Sequence, residues 1–154
     1  MLALLDGLAT EYGDDWWFGM AHAFAQCEAG QRETARKAID RSMAAHPRNA
    51  HGAHVRAHVL YESGEDAAGR AYLDEWLRDY PAAAQLHCHL TWHVAIFSLG
   101  VGRPDRAWQA YSGGIAPGAS CGSAGQHADR CRLVPLARRA GQRASRSTAL
   151  VRGA

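Results

Sequence analysis

PRNAHGAHVRAHVLYESGEDAAGRAYLDEWLRDYP, residues 47 to 81, holds one complete unit of a repeating plan, bounded by Pro47 and Pro81, 34 residues apart. Asn49 can cap a first helix, reading over 49–63, because a side-chain oxygen there accepts an orphan amide of the first turn. Glu62-Ser63-Gly64 ends that helix at a residue free to adopt the left-handed conformation that other side chains resist. A second helix reads over 66–80, with Ala68, Tyr72 and Trp76 at helical spacing, and stops before Pro81.

The same grammar extends in both directions. Towards the N-terminus, helices read over 15–29, with Asp14 as cap and Glu28-Ala29-Gly30 as exit, and over 32–46, with a stripe of Ala35, Ile39 and Met43. Towards the C-terminus they read over 83–99, leaving through Leu99-Gly100, and 104–112, opened by Pro104 where its missing N–H costs nothing. Pro117 follows Pro81 by 36 residues. A period of about 34 residues is that of the tetratricopeptide repeat. The expected fold is therefore all-α, an α-solenoid of about three helix-turn-helix units across 14–117. The expected organisation is a helical-repeat module over 1–117 and a basic tail of low order over 118–154. Single repeats cannot bury their apolar faces alone, and the first pair opens directly after MLALLDGLATEYG, so a fragment of a longer protein is expected.

Charge separates body from tail. Residues 1–120 carry 10 Lys plus Arg against 14 Asp plus Glu, whereas 121–154 carry seven Arg and only Asp129. A mildly acidic body does not offer the clustered cations that release counterions from nucleic acid, so no nucleic-acid partner is expected. Cys27, Cys88, Cys121 and Cys131 form no C-x-x-C pair and no dense framework, which points to a reducing, cytoplasmic setting. MLALLDGL has no basic leader region, and no run approaches the roughly 20 apolar residues that span a bilayer, so no membrane partner is expected.

The runs DDWWFGMAHAFAQCEAG (14–30), HVRAHVLYESGE (54–65), LHCHLTWHVAIFSLGVG (86–102) and AWQAYSGGIAP (107–117) together resemble the tetratricopeptide repeat protein 38 family. The C-H-x-x-W-H run of Cys88, His89, Trp92 and His93 is the most specific part of the likeness. Where the family usually has a glutamate three residues after the second histidine of the first pair, this chain has Tyr61, with Glu62 next. Members of the family are much longer, which again implies a fragment. The resemblance implies the fold and no particular activity.

The chemistry-bearing residues are histidines. His51, His54 and His58 fall on one expected helix, and His87, His89 and His93 on another. His54/His58 and His89/His93 are each i, i+4 pairs, so each projects from one helical face. The pairs are 35 residues apart, close to one repeat, which places them facing each other across a concave groove in a stacked array. Three readings stay open. A ligand groove would use His54, His58, His89 and His93 as donors and Trp92 as a stacking wall, taking a protein segment or small ligand. A metal site would use the same four histidines, with Glu62 as further ligand or base, although H-x-x-x-H lacks the internal glutamate of a zincin helix. Packing between repeats would use them for neither. The preferred expectation is the groove of a binding or scaffold module with no catalytic residues and no cofactor. The alternative is a metal-binding or metal-dependent enzyme domain. Trp16 and Trp17 are expected in the core, and Cys88 is expected as inert packing inside its helix rather than a nucleophile.

The tail, CGSAGQHADRCRLVPLARRAGQRASRSTALVRGA from residue 121, has no sustained apolar period. Synonymous codons exist for 125–142 that, read one base later, encode VNTLTDAASFLWRAELAN, an amphipathic pattern resembling the segment that follows the isoleucine-proline turn in the family. A frameshift near residue 120 is thus an expectation that the coding DNA tests directly.

Overall fold

The computed structural model describes residues 1–116, 118 and 119; the basic tail and the frameshift expectation lie outside the described residues. The chain divides into two units, Met1–Glu65 and Asp66–Ala154. The described residues form helices joined by short turns, with no strand among them.

The first unit contains α1 (Leu2–Tyr12), α2 (Trp16–Glu28), α3 (Arg32–Ala45) and α4 (Ala50–Glu62). α2 packs on α3 and α4, and α3 packs on α4. The expected stripe of Ala35, Ile39 and Met43 is buried, and Met20, Ala23, Cys27, Val55 and Val59 fill the same core. Gly52 lets α4 approach α3 closely, since a Cβ there would collide with the Met43 sulfur. Ser42 Oγ ties α3 to the start of α2 by donating to the Trp16 carbonyl at 2.7 Å.

α1 does not follow from the apolar pattern, and the reason is visible: none of its residues is buried. Leu- and Ala-rich sequence makes it a good helix former without a stripe. It is held to α2 by Tyr12, stacked on Phe18 at 4.6 Å, and by Asp6, 2.8 Å from His22 Nε2. The cap of α2 is Asp15 rather than Asp14: Asp15 Oδ1 accepts the Phe18 amide at 2.7 Å, the three-residue reach that capping requires. Asn49 caps α4 as expected, accepting from the His51 amide at 3.1 Å.

The second unit contains α5 (Asp66–Trp76), continued by a 3-10 turn (Leu77–Asp79), then α6 (His87–Gly100) and α7 (Pro104–Ala110), which widens into a π turn (Tyr111–Ile115). α6 packs on α5 and α7, and Leu73, Leu90, Val94, Phe97 and Ile115 form the buried centre. The stripe on α5 is Gly69, Leu73 and Trp76, because Ala68 is exposed and Tyr72 only half-buried. Gly69 explains the one-residue rotation: the Phe97 ring occupies the space a Cβ would need. α6 starts at His87 instead of 83, since Ala84 and His87 close two successive turns onto Pro81 and Ala84 carbonyls. Pro104 opens α7 as expected.

Three helices leave by one device. Gly30, Gly64 and Gly102 have φ of 79°, 72° and 73°, and the next residue donates to the carbonyl five positions back. These bonds are Gln31 to Gln26 at 2.9 Å, Glu65 to Leu60 at 2.9 Å and Arg103 to Ser98 at 2.7 Å. Each satisfies a carbonyl that a helix end would otherwise leave orphaned. The third exit is Gly102, not Gly100. Gly100 lies inside α6, where a side chain would strike the Asp66 carboxylate.

Trp17 departs from the core expectation. It is 50% exposed, with its ring edge-on to Trp16 and His51, while Trp16 is half-buried against His46. Adjacent helical positions point about 100° apart, so two successive tryptophans cannot both face one core.

Candidate functional site

On α4, one turn of helix stacks His54 and His58, and their Nε2 atoms stand 2.9 Å apart. Two imidazole nitrogens at this distance share one proton, one donating and the other accepting. Phe24 on α2 meets His58 edge-on at 5.3 Å between centroids and His54 at 6.1 Å. Behind the pair, Glu28 Oε1 lies 3.9 Å from His58 Nδ1. Both histidines are half-buried. Burial pushes the His58 imidazole below its usual pKa, outweighing the opposite pull of Glu28 and Glu62, and favours the neutral ring. Glu62 is exposed at the end of α4, one turn beyond His58.

On α6 the second pair has drier surroundings. His89 and His93 have centroids 5.1 Å apart, with Trp92 at 5.8 Å from His89 and 5.0 Å from His93. His93 is 3% exposed and its ring lies near Phe97, whereas His89 and Trp92 are half-buried. Cys88 is buried in the same helix.

The other two histidines of the expected groups serve elsewhere. His51 is exposed beside Trp17, and His87 stacks on Tyr80 at 6.4 Å, its pKa lowered by burial. The expected pairs are therefore the chemically coherent part of the sequence pattern, each assembled within its own helix.

One polar run escaped the sequence reading. His22 Nε2 lies 2.8 Å from Asp6 Oδ1 and 3.3 Å from Gln26 Nε2, linking α1 to α2 beside a cavity of about 460 Å³ lined by Asp15, Trp16, Arg41 and Ser42. Its signal was an i, i+4 pairing of His22 with Gln26, but its acidic member belongs to a helix that has no apolar stripe. Cys27, also in the first unit, is buried, and desolvation followed by Glu62 and Glu28 raises its thiol pKa, which leaves little thiolate.

No helix among the described residues is long and apolar enough to cross a membrane. No known protein family, curated protein or solved structure matches the chain.

Proposed function

We propose that the chain is a helical-repeat binding module of tetratricopeptide type, a segment of a longer cytoplasmic protein similar to the tetratricopeptide repeat protein 38 family. It holds carboxylate-bearing stretches of another protein, through His54 and His58 on α4 and through His89, Trp92 and His93 on α6. The observation that carries this reading is the character of the two pairs. The half-buried imidazoles of His54, His58 and His89, able to donate hydrogen bonds, stand directly beside aromatic walls, Phe24 for the α4 pair and Trp92 for His89 and the buried His93. A few placed polar groups against apolar surface is the usual composition of a ligand site. Three like glycine exits and the α2/α3 and α6/α7 pairings support the repeat reading.

A displayed library of random peptides, panned on the full chain, tests it. Peptides rich in Asp or Glu are expected to enrich, and Trp92→Ala and His58→Ala should each weaken the best of them roughly tenfold, equivalent to about 1.4 kcal/mol. Enrichment equal in wild type and in both variants would overturn the assignment of these residues. Absence of any enriched sequence would overturn the binding reading itself.

A further inference from the structure

Where α6 and α7 meet the 3-10 turn after α5, the second unit has a cavity of about 250 Å³. Drug-sized ligands need roughly 300–1,000 Å³, so this space suits a small molecule or ion. Its walls favour a negative one. Arg78 and Arg106 line it against the carboxylate of Asp74. Asp74 accepts from Arg106 Nη2 and so holds that side chain in place, while a guanidinium with five donors keeps others for a ligand. Arg78 stands exposed, braced by Glu75, and Gln109 adds an exposed amide. His87 lines the cavity as well, and among the described residues its Nδ1 is buried without a hydrogen-bond partner. A buried polar atom left unpaired is costly. An anionic oxygen accepting from a proton on Nδ1 would remove that cost.

The π turn of Tyr111–Ile115 borders the same space. Such turns are rare and recur at functional sites. Its two glycines do different things. An added Cβ at Gly114 would strike the Thr91 side chain at 2.8 Å, so packing against α6 demands glycine there. A Cβ at Gly113 would meet nothing within 4 Å, yet Gly113 lines the cavity. Packing therefore does not explain Gly113, and its missing side chain leaves the cavity room. We propose that this cavity binds a phosphate group, as the free ion or on a small phosphate monoester. Two guanidinium groups, an amide and an imidazole N–H outnumber the two oxygens of a carboxylate, whereas a phosphate group offers three strong acceptors. Every residue of the site belongs to one unit. None takes part in the peptide reading, so the two stand or fail separately.

The experiment titrates the full chain by calorimetry with inorganic phosphate, glycerol 3-phosphate and acetate in a phosphate-free buffer. One saturable phosphate site per chain is expected, with acetate weaker by about tenfold or more, the worth of one charge-assisted hydrogen bond. The tighter of the two phosphate ligands identifies the source as free ion or monoester. Arg106→Gln should weaken binding about tenfold and His87→Leu severalfold, whereas Arg41→Gln in the first unit should leave it unchanged. Gly113→Leu should abolish binding by filling the cavity. Because it alters no charge, it separates the cavity from the arginines of the tail. If circular dichroism shows that a variant has lost its helices, Arg78→Gln replaces Arg106→Gln and Gly113→Ala replaces Gly113→Leu. No saturable binding, equal affinity for acetate, or full affinity in the Gly113 or arginine variant would overturn the proposal.

Discussion

α4 and α6 carry the same histidine spacing in different settings, and aligning them 35 positions apart shows where they diverge. Ala53, Val55 and Val59 correspond to Cys88, Leu90 and Val94, and all six are buried. At two other aligned positions the match breaks. His58 is half-buried where His93 is buried, and Glu62 is exposed where Phe97 is completely buried. α4 thus ends in water with its acidic residue, whereas α6 runs its last turn through the centre of its unit. Identical spacing specifies which face carries the imidazoles. The residues around that spacing decide how wet they are.

The strongest way to break this comparison is at its most divergent position. Phe97→Ala should destabilise the chain by about 3–5 kcal/mol, as expected for a buried aromatic, while Glu62→Ala should change stability by about 0.5 kcal/mol or less. Urea denaturation of both variants checks it, and similar losses would mean that α4 and α6 end in equivalent surroundings. The helix starts come next. Asn49 caps α4 with its side chain, but Leu86 before α6 offers no such bond. Asn49→Ala should therefore cost about 1 kcal/mol, and Leu86→Ala should affect no cap, a difference readable from the two denaturation midpoints.

Acid sharpens the comparison with a smaller effect. Burial holds His58 on α4 and His87 at the start of α6 below the usual imidazole value of 6.5. As pH falls past 6.5 the unfolded chain takes up protons before the folded one, so stability present above that value is lost towards the folded pKa values. The chain should have a lower urea midpoint at pH 5.5 than at pH 7.5, and His58→Gln should flatten the slope. A midpoint that rises on acidification contradicts the burial of both rings.

Much of this architecture can be read from residue type. Prolines, capping residues and glycines act through their own backbone chemistry, so Asn49, Pro104, Gly30 and Gly64 announce helix ends without knowledge of the fold. The stripe of α3 is equally plain because Ala35, Ile39 and Met43 all face one core. What escaped depends on partners remote in sequence. Gly69, rather than Ala68, faces α6 because of the shape of Phe97, and Gly100 is a contact glycine rather than an exit because of Asp66. α1 escaped because it buries nothing. For the histidines, spacing identifies the pairs within each helix, but the 2.9 Å approach of His54 and His58 and the position of Glu28 depend on side-chain rotamers and on how α2 packs against α4.

The contact of Gly69 with Phe97 makes two positions in different helices share a single allotment of volume. Neither can vary alone: an added methyl at 69 has nowhere to go while the ring is present, and a smaller residue at 97 leaves a void that glycine cannot fill. Relatives of this chain should accordingly exchange size between the two positions, a larger residue at one accompanying a smaller residue at the other. Gly69→Ala combined with Phe97→Leu should be less damaging than the sum of the single changes, a non-additivity typical of residues in direct contact.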